Sequence, residues 1–323
     1  MAVTPVRDYV DAVALDHAGD VQLTLEHVAE IDHACHVVRA AGWPLLSVRT
    51  DRFPLPTLAL ELRRVGETMD AHSFRVLRGL PGHALGDADR RVLLWAVGQH
   101  LGSPISQDAT GRMLRIVEPR GGAFRTGGSD VVALTPLHDT VTVSLVGARQ
   151  VYGEVLRRRP DLARRLFRPF HLDRRGDHEP GEEPYRSVPL ACWCDGRLSL
   201  RHDRAAVEGA QAFPGVPRLI RDEIDLLDLL DEAAAAPELR TEVRLAPGDV
   251  LLVNNHEVLH RIEPTGSSRA PELARLWLTL RHGRRLPMSY TWPTPTYGGG
   301  TGRGGVTPRD VIQRPARREL AVC

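Results

Sequence analysis

The sequence contains no lysine. All 42 of its basic residues are arginine, set against 41 acids, so the net charge is close to zero. Every positive side chain is therefore a planar fork suited to two-point binding of carboxylate, sulfate or phosphate, where an ammonium would act as a point charge. Aromatic residues are scarce at 5%, and the arginines are interspersed with acids. This excludes a nucleic-acid footprint, which needs massed positive charge and stacking rings. No stretch approaches the ~18 to 20 apolar residues of a membrane span. The start, Met-Ala-Val-Thr-Pro-Val-Arg-Asp, lacks a basic-then-apolar leader, so a cytoplasmic location without a membrane partner is expected. Four cysteines (Cys35, Cys192, Cys194 and Cys323) make no spaced framework. Cys192 and Cys194 fall on one face of an expected strand, and reduced thiols are expected in that compartment.

What is present is enough apolar residue, 42% of 323, to bury a sizeable core. One domain over residues 1–323 is expected, with a helical layer over about 1–110, a barrel over about 111–287, and a Gly/Pro-rich tail from 288 to 323 that is extended or mobile. Apolar spacings of three and four predict helices over 21–42, 55–68, 87–101, 149–168 and 218–235. Alternation predicts strands over 73–80, 113–117, 130–137, 141–145, 187–193, 197–201, 243–245, 249–253 and 274–280. Cys-Asp-Gly-Arg at 194–197 and Ala-Pro-Gly-Asp at 246–249 are turn chemistry. Short strands joined by tight turns and fed by a helical third suggest an α+β fold, an antiparallel barrel buttressed by helices.

The most informative segment is Leu-Ala-Pro-Gly-Asp-Val-Leu-Leu-Val-Asn-Asn-His-Glu-Val-Leu-His, ending at His260, with Arg275 in Ala-Arg-Leu-Trp-Leu fifteen residues later. With 101–107, 129–134, 151–162 and 196–204, this arrangement resembles the taurine dioxygenase and clavaminate synthase-like iron(II)/2-oxoglutarate oxygenases, and among them the amino-acid β-hydroxylases. The likeness runs from about Phe74 to Pro287. It implies a double-stranded β-helix, the jelly-roll or cupin-like barrel, with His260 at an iron-ligand position and Arg275 where the family holds the far carboxylate of 2-oxoglutarate.

The family's other two ligands come from His-X-Asp or His-X-Glu just before the strand that begins here at Asp130. Aligned on that strand, this chain has Arg125-Thr126-Gly127, so both ligand positions are replaced. His138 and Asp139 lie eight residues of strand beyond Asp130, roughly 26 Å away, and are poor substitutes. A metal site using His256, His260 or Asp130 stays open as an alternative. If Arg125 points inward, its guanidinium stands where the metal's charge stood, beside the flexible Gly127-Gly128 backbone, and forms an anion site. Arg275 adds a second fork, and His260 is released to act as acid, base or donor.

The expected reading is an enzyme of natural-product biosynthesis on this fold, with His260 and Arg125 catalytic and Arg275, Thr126, Gly127, Asp203 and Asn255 binding an amino-acid-derived substrate. It would need no cofactor and would carry out elimination or ring closure with loss of an anionic group. The substrate could arrive on a carrier protein. Two alternatives stay open: a hydroxylase or halogenase that uses iron(II) and 2-oxoglutarate through altered ligands, and a non-catalytic subunit that binds a ligand or a protein partner. Glu257 is a further candidate base, and Arg157-Arg158-Arg159 reads as a solvated helix end.

Overall fold

A computed structural model describes residues 15–17, 19–81, 85–118, 122–176, 178, 182–264 and 271–291. Most of the expected tail lies outside the described residues. The chain begins with β1 (Val21–Gln22), α1 (Leu25–Ala41), α2 (Leu58–Thr68), β2 (Phe74–Arg78), α3 (Asp87–Leu101), β3 (Ser103–Ile105) and β4 (Leu114–Val117). It continues with β5 (Val131–Pro136), β6 (Val141–Gly147), α4 (Ala148–Arg158), α5 (Pro160–Ala163), β7 (Pro169–Asp173), β8 (Tyr185–Pro189), β9 (Ala191–Cys194) and β10 (Arg197–Leu200). The last elements are α6 (Arg204–Ala210), α7 (Arg221–Ala235), β11 (Arg240–Leu245), β12 (Val250–Asn254), β13 (Val258–Ile262) and β14 (Leu273–Thr279).

Local chemistry sets several of these boundaries. Helix α1 starts later than its apolar spacing predicts because the Thr24 hydroxyl accepts the His27 N–H, and it stops where Gly42 adopts φ 64°. The residues ahead of Thr24 instead extend and pair in parallel with β2. Asp195 (φ 49°) and Gly196 (φ 72°) form the two-residue turn between β9 and β10, both left-handed as this hairpin demands. The turn before β12 has Gly248 at φ 100°. Strand β3, at three residues, is too short for a periodic signal, and β7, β13 and helix α6 fall outside the spans predicted from the sequence. The one strand expected over 187–193 divides between β8 and β9.

Two sheets matter for the site. The larger runs β1-β2-β12-β5-β14-β3, with β4 also pairing β14, and the smaller runs β11-β6-β13. One apolar core joins them, drawing Phe74, Val132, Leu134, Val253 and Leu273 from the first and Val143, Leu145, Val243 and Val258 from the second. Alternate residues of each strand point into this layer, so facing sheets share their inner side chains. The outer face of the larger sheet is covered by α1, α2 and α3 through a second core that includes Ile31, Leu62 and Leu94. A third core, with Val151, Leu226 and Leu230, packs α4 and α7 beyond the smaller sheet. The mixed α and β content agrees with expectation.

Candidate functional site

The segment from Phe124 to Asp130 is held by a series of backbone bonds. Phe124 is buried beneath the Arg261 guanidinium, 4.7 Å from its ring. Arg125 and His260 exchange two backbone hydrogen bonds, 3.2 Å from the Arg125 N–H and 3.0 Å from the His260 N–H. Directly opposed residues of an antiparallel pair project to the same face, with Cβ atoms about 5 Å apart. The Arg125 side chain therefore stands beside the His260 ring. The next residue, Thr126, donates its N–H to the His202 carbonyl and accepts the His202 N–H on its hydroxyl. His202 is fixed in turn by Asp231, 2.6 Å from its Nε2, and Asp231 by Arg204 at 2.9 Å. The Gly127 N–H is bonded to Asn255 Oδ1 at 3.0 Å, while Asn255 Nδ2 donates to Ser129.

Arg125, His260 and Arg275 come together in one cavity of about 230 Å³. Its described lining includes five arginines (Arg125, Arg175, Arg204, Arg261 and Arg275) against two acids, Glu118 and Asp203. Three of these arginines are neutralised locally. Arg175 pairs with Asp203 at 2.9 Å, Arg204 with Asp228 and Asp231, and Arg261 with Glu263 at 2.7 Å. Arg275 is different: its Nε donates to the neutral Gln107 Oε1 at 2.7 Å, its guanidinium sits over the Trp277 ring, and no ion pair reaches it among the described residues. The Arg125 guanidinium is exposed to the cavity and has no hydrogen-bond or ion-pair partner among the described residues.

The electrostatics follow from this excess. His260 is 5% exposed and its Nδ1 has no partner among the described residues. Burial, with Arg125 and Arg275 nearby, pushes its imidazole down to about 3, so it is neutral at physiological pH. Burial, followed by Arg125 and Arg115, pushes the Arg275 guanidinium down to about 9, which still leaves it charged.

The remaining expected residues divide. Asp203 does reach the cavity, but its carboxylate caps α6 through the Ala206 N–H and pairs with Arg175. Thr126, Gly127 and Asn255 line a separate, smaller cavity of about 50 Å³ with Arg201 and Tyr290. Their polar groups hold the Arg125 segment in place. Glu257 is occupied by Arg197 and Arg284, and His138 lies between Asp87 and Glu272. Arg157 and Arg158 pair with Glu154 and Arg159 with Asp161, a solvated helix end as expected. Gln107 was not singled out from the sequence, although it stands in one of the matching segments. Arg175, Arg204 and Arg261 gave no signal in a chain where every cation is arginine.

The donors present do not fit the family's iron site. His260 supplies one ligand, and Arg125 sets a fixed positive charge at the second position. A Cβ on Gly127, at the third, would meet Asn255 Nδ2 at 3.0 Å and Val132 Cγ2 at 3.1 Å, so no carboxylate enters there without displacing them. His256 Nε2 binds Asp130 Oδ1 at 2.9 Å, and neither residue lines the cavity of His260. Among the described residues no group of three histidine, cysteine, aspartate or glutamate side chains could hold a metal ion.

Residues 142–277 match the family model for taurine catabolism dioxygenase TauD, TfdA family. FR-33289 synthase of Streptomyces rubellomurinus (strain ATCC 31215) is 26% identical over 295 residues, covering 81% of this chain and 85% of that protein. Among solved structures, asparagine oxygenase in complex with Fe(II), 3-hydroxyasparagine and succinate superimposes with a TM-score of 0.59 at 17% identity, over 80% of this chain and 93% of that one. The non-heme iron oxygenase OrfP with Fe and α-ketoglutaric acid gives 0.57 at 19% identity over the same shares. A third, OrfP with Fe, succinate and dihydroxy-L-arginine, gives 0.57 at 18%. These likenesses correct the expectation of no cofactor. Solved proteins of this fold hold Fe with succinate or α-ketoglutaric acid, which goes against reading the fold as cofactor-free. The chain is thus similar over residues 142–277 to the TauD, TfdA family, over most of its length to one curated synthase, and in fold to solved non-heme iron oxygenases.

Proposed function

We propose that this chain serves natural-product biosynthesis on a double-stranded β-helix scaffold, taking 2-oxoglutarate or a similar dicarboxylate in the Arg125, His260 and Arg275 cavity and acting on an amino-acid-derived small molecule. Arg275 carries this reading. A largely buried guanidinium with no ion-pair partner among the described residues is costly unless an anion completes it. Gln107 uses its Nε and so fixes the fork, leaving the terminal nitrogens for a carboxylate. The Trp277 ring lies 5.3 Å from the guanidinium, a cation–π contact that helps hold its orientation.

For the reaction, the bound groups of the relatives favour iron- and 2-oxoglutarate-dependent hydroxylation or halogenation of an amino acid over the elimination or ring closure expected from the sequence. In this chain such chemistry would need metal ligands beyond His260. A second reading rests on Arg125 and Gly127: with two ligand positions replaced, the protein binds the dicarboxylate without oxidising a substrate. Anaerobic titration with Fe(II) and 2-oxoglutarate, followed by air and assay of succinate, separates the two. Stoichiometric iron with succinate release supports the oxygenase, and 2-oxoglutarate binding without succinate supports the second reading. Arg275→Met is expected to weaken 2-oxoglutarate binding about ten- to a hundredfold, the worth of a charge-assisted pair. Failure of the wild-type protein to bind 2-oxoglutarate under either condition overturns the proposal.

A further inference from the structure

The cavity holds two guanidiniums that no acid neutralises, and they sit on different elements. Arg275 projects from β14, fixed by Gln107. Arg125 projects from a segment pinned on both sides, through its own backbone to His260 and through Thr126 to His202. It is therefore not a loose surface arginine, because its backbone is as constrained as that of a strand even though its side chain is open to the cavity. Between them lies the neutral imidazole of His260, whose Nδ1 is buried and unpartnered. Charged groups of one sign held around a cavity with an unspent polar atom favour an occupant of opposite sign.

We propose that Arg125 takes over the counter-ion role of the missing metal and binds the second carboxylate of a dicarboxylate whose first carboxylate is on Arg275. This rests on the reading that the cavity takes a dicarboxylate, and adds that no divalent cation is needed to hold it. A guanidinium offers paired N–H donors to both oxygens of a carboxylate, so a ligand with two such ends meets two matched forks. The same positive charge opposes entry of a divalent cation beside His260. The depressed protonation of His260 and Arg275, each caused in part by Arg125, agrees with charges that face one another across a short space.

Calorimetric titration of the full-length protein with succinate and with 2-oxoglutarate tests this, in EDTA and again with Mn(II). The expected result is the same affinity under both conditions, with butyrate, the monocarboxylate analogue of succinate, bound at least tenfold more weakly. Arg125→Met should weaken succinate about ten- to a hundredfold, and Arg125→Lys, which keeps the charge without the fork, by less. Thermal melting of each variant without ligand reports whether it folds. Binding that requires Mn(II), or binding unaltered in a folded Arg125→Met variant, overturns this inference while leaving the dicarboxylate reading in place. Absence of dicarboxylate binding under both conditions overturns both.

Discussion

The protonation of His260 can be tested through acid stability. In the folded chain its imidazole falls to about 3 because it is buried and faces Arg125 and Arg275, whereas an unfolded histidine titrates near 6.5. Below that value the unfolded chain binds a proton that the folded chain refuses, so stability from this group is complete above pH ~6.5 and is lost as the pH falls toward 3. Each unit is worth about 1.4 kcal/mol, which caps the effect near 5 kcal/mol and gives roughly 3 kcal/mol between pH 7 and pH 4. Urea denaturation of the wild-type protein and of His260→Gln across this range isolates the group, since all other titrations are common to both. The wild-type curve should fall more steeply by about one proton. Adding Arg125→Met to the wild-type background should shrink the excess slope, because one of the two repelling charges is gone. Parallel curves for wild type and His260→Gln would refute the claim that a neutral, buried His260 faces two cations.

Gly127→Asp, which restores the family's residue, should destabilise the fold by about 1 to 3 kcal/mol and should not create iron binding, since its Cβ runs into Asn255 and Val132; thermal melting and metal analysis check both parts. Arg284→Met removes a buried guanidinium that joins Asp70 at 2.9 Å to Glu257 at 2.6 Å, and should cost about 3 kcal/mol in urea, moderated because Arg197 still reaches both acids. Asp231→Asn weakens the hold on His202 and should cost about 1 to 3 kcal/mol. Through the His202 to Thr126 pairing it should also speed hydrogen exchange at the Thr126 amide, measurable by mass spectrometry.

Much of this architecture was legible because long periodic segments announce themselves. Helices α3 and α7 and strands β5, β12 and β14 fall where their apolar spacing and turn residues put them. Strand β3 has only three residues, and β3 and β13 are held by pairing to strands far along the chain, β14 and β6. Asp203 shows the same limit at the site: a carboxylate near a cavity reads as a ligand for substrate, whereas the fold uses it as a helix cap and the partner of Arg175. Arg125, His260 and Arg275 were readable as a group because the resemblance aligned them, and the structure does place them on one cavity. Gln107 could not be read in the same way. Its role comes from a 2.7 Å bond across 168 residues of chain, which no local pattern encodes. The expectation of no cofactor rests on the two replaced ligand positions alone and leaves out Arg275, whose guanidinium has no acid to pair with among the described residues.

The most direct test of the central claim is a crystal structure grown with succinate and Mn(II). The account predicts one carboxylate on the terminal nitrogens of Arg275 beside Gln107, the other within hydrogen-bonding distance of the Arg125 guanidinium, and no metal on His260. A manganese ion bound to His260, with Arg125 swung out of the cavity, would contradict it.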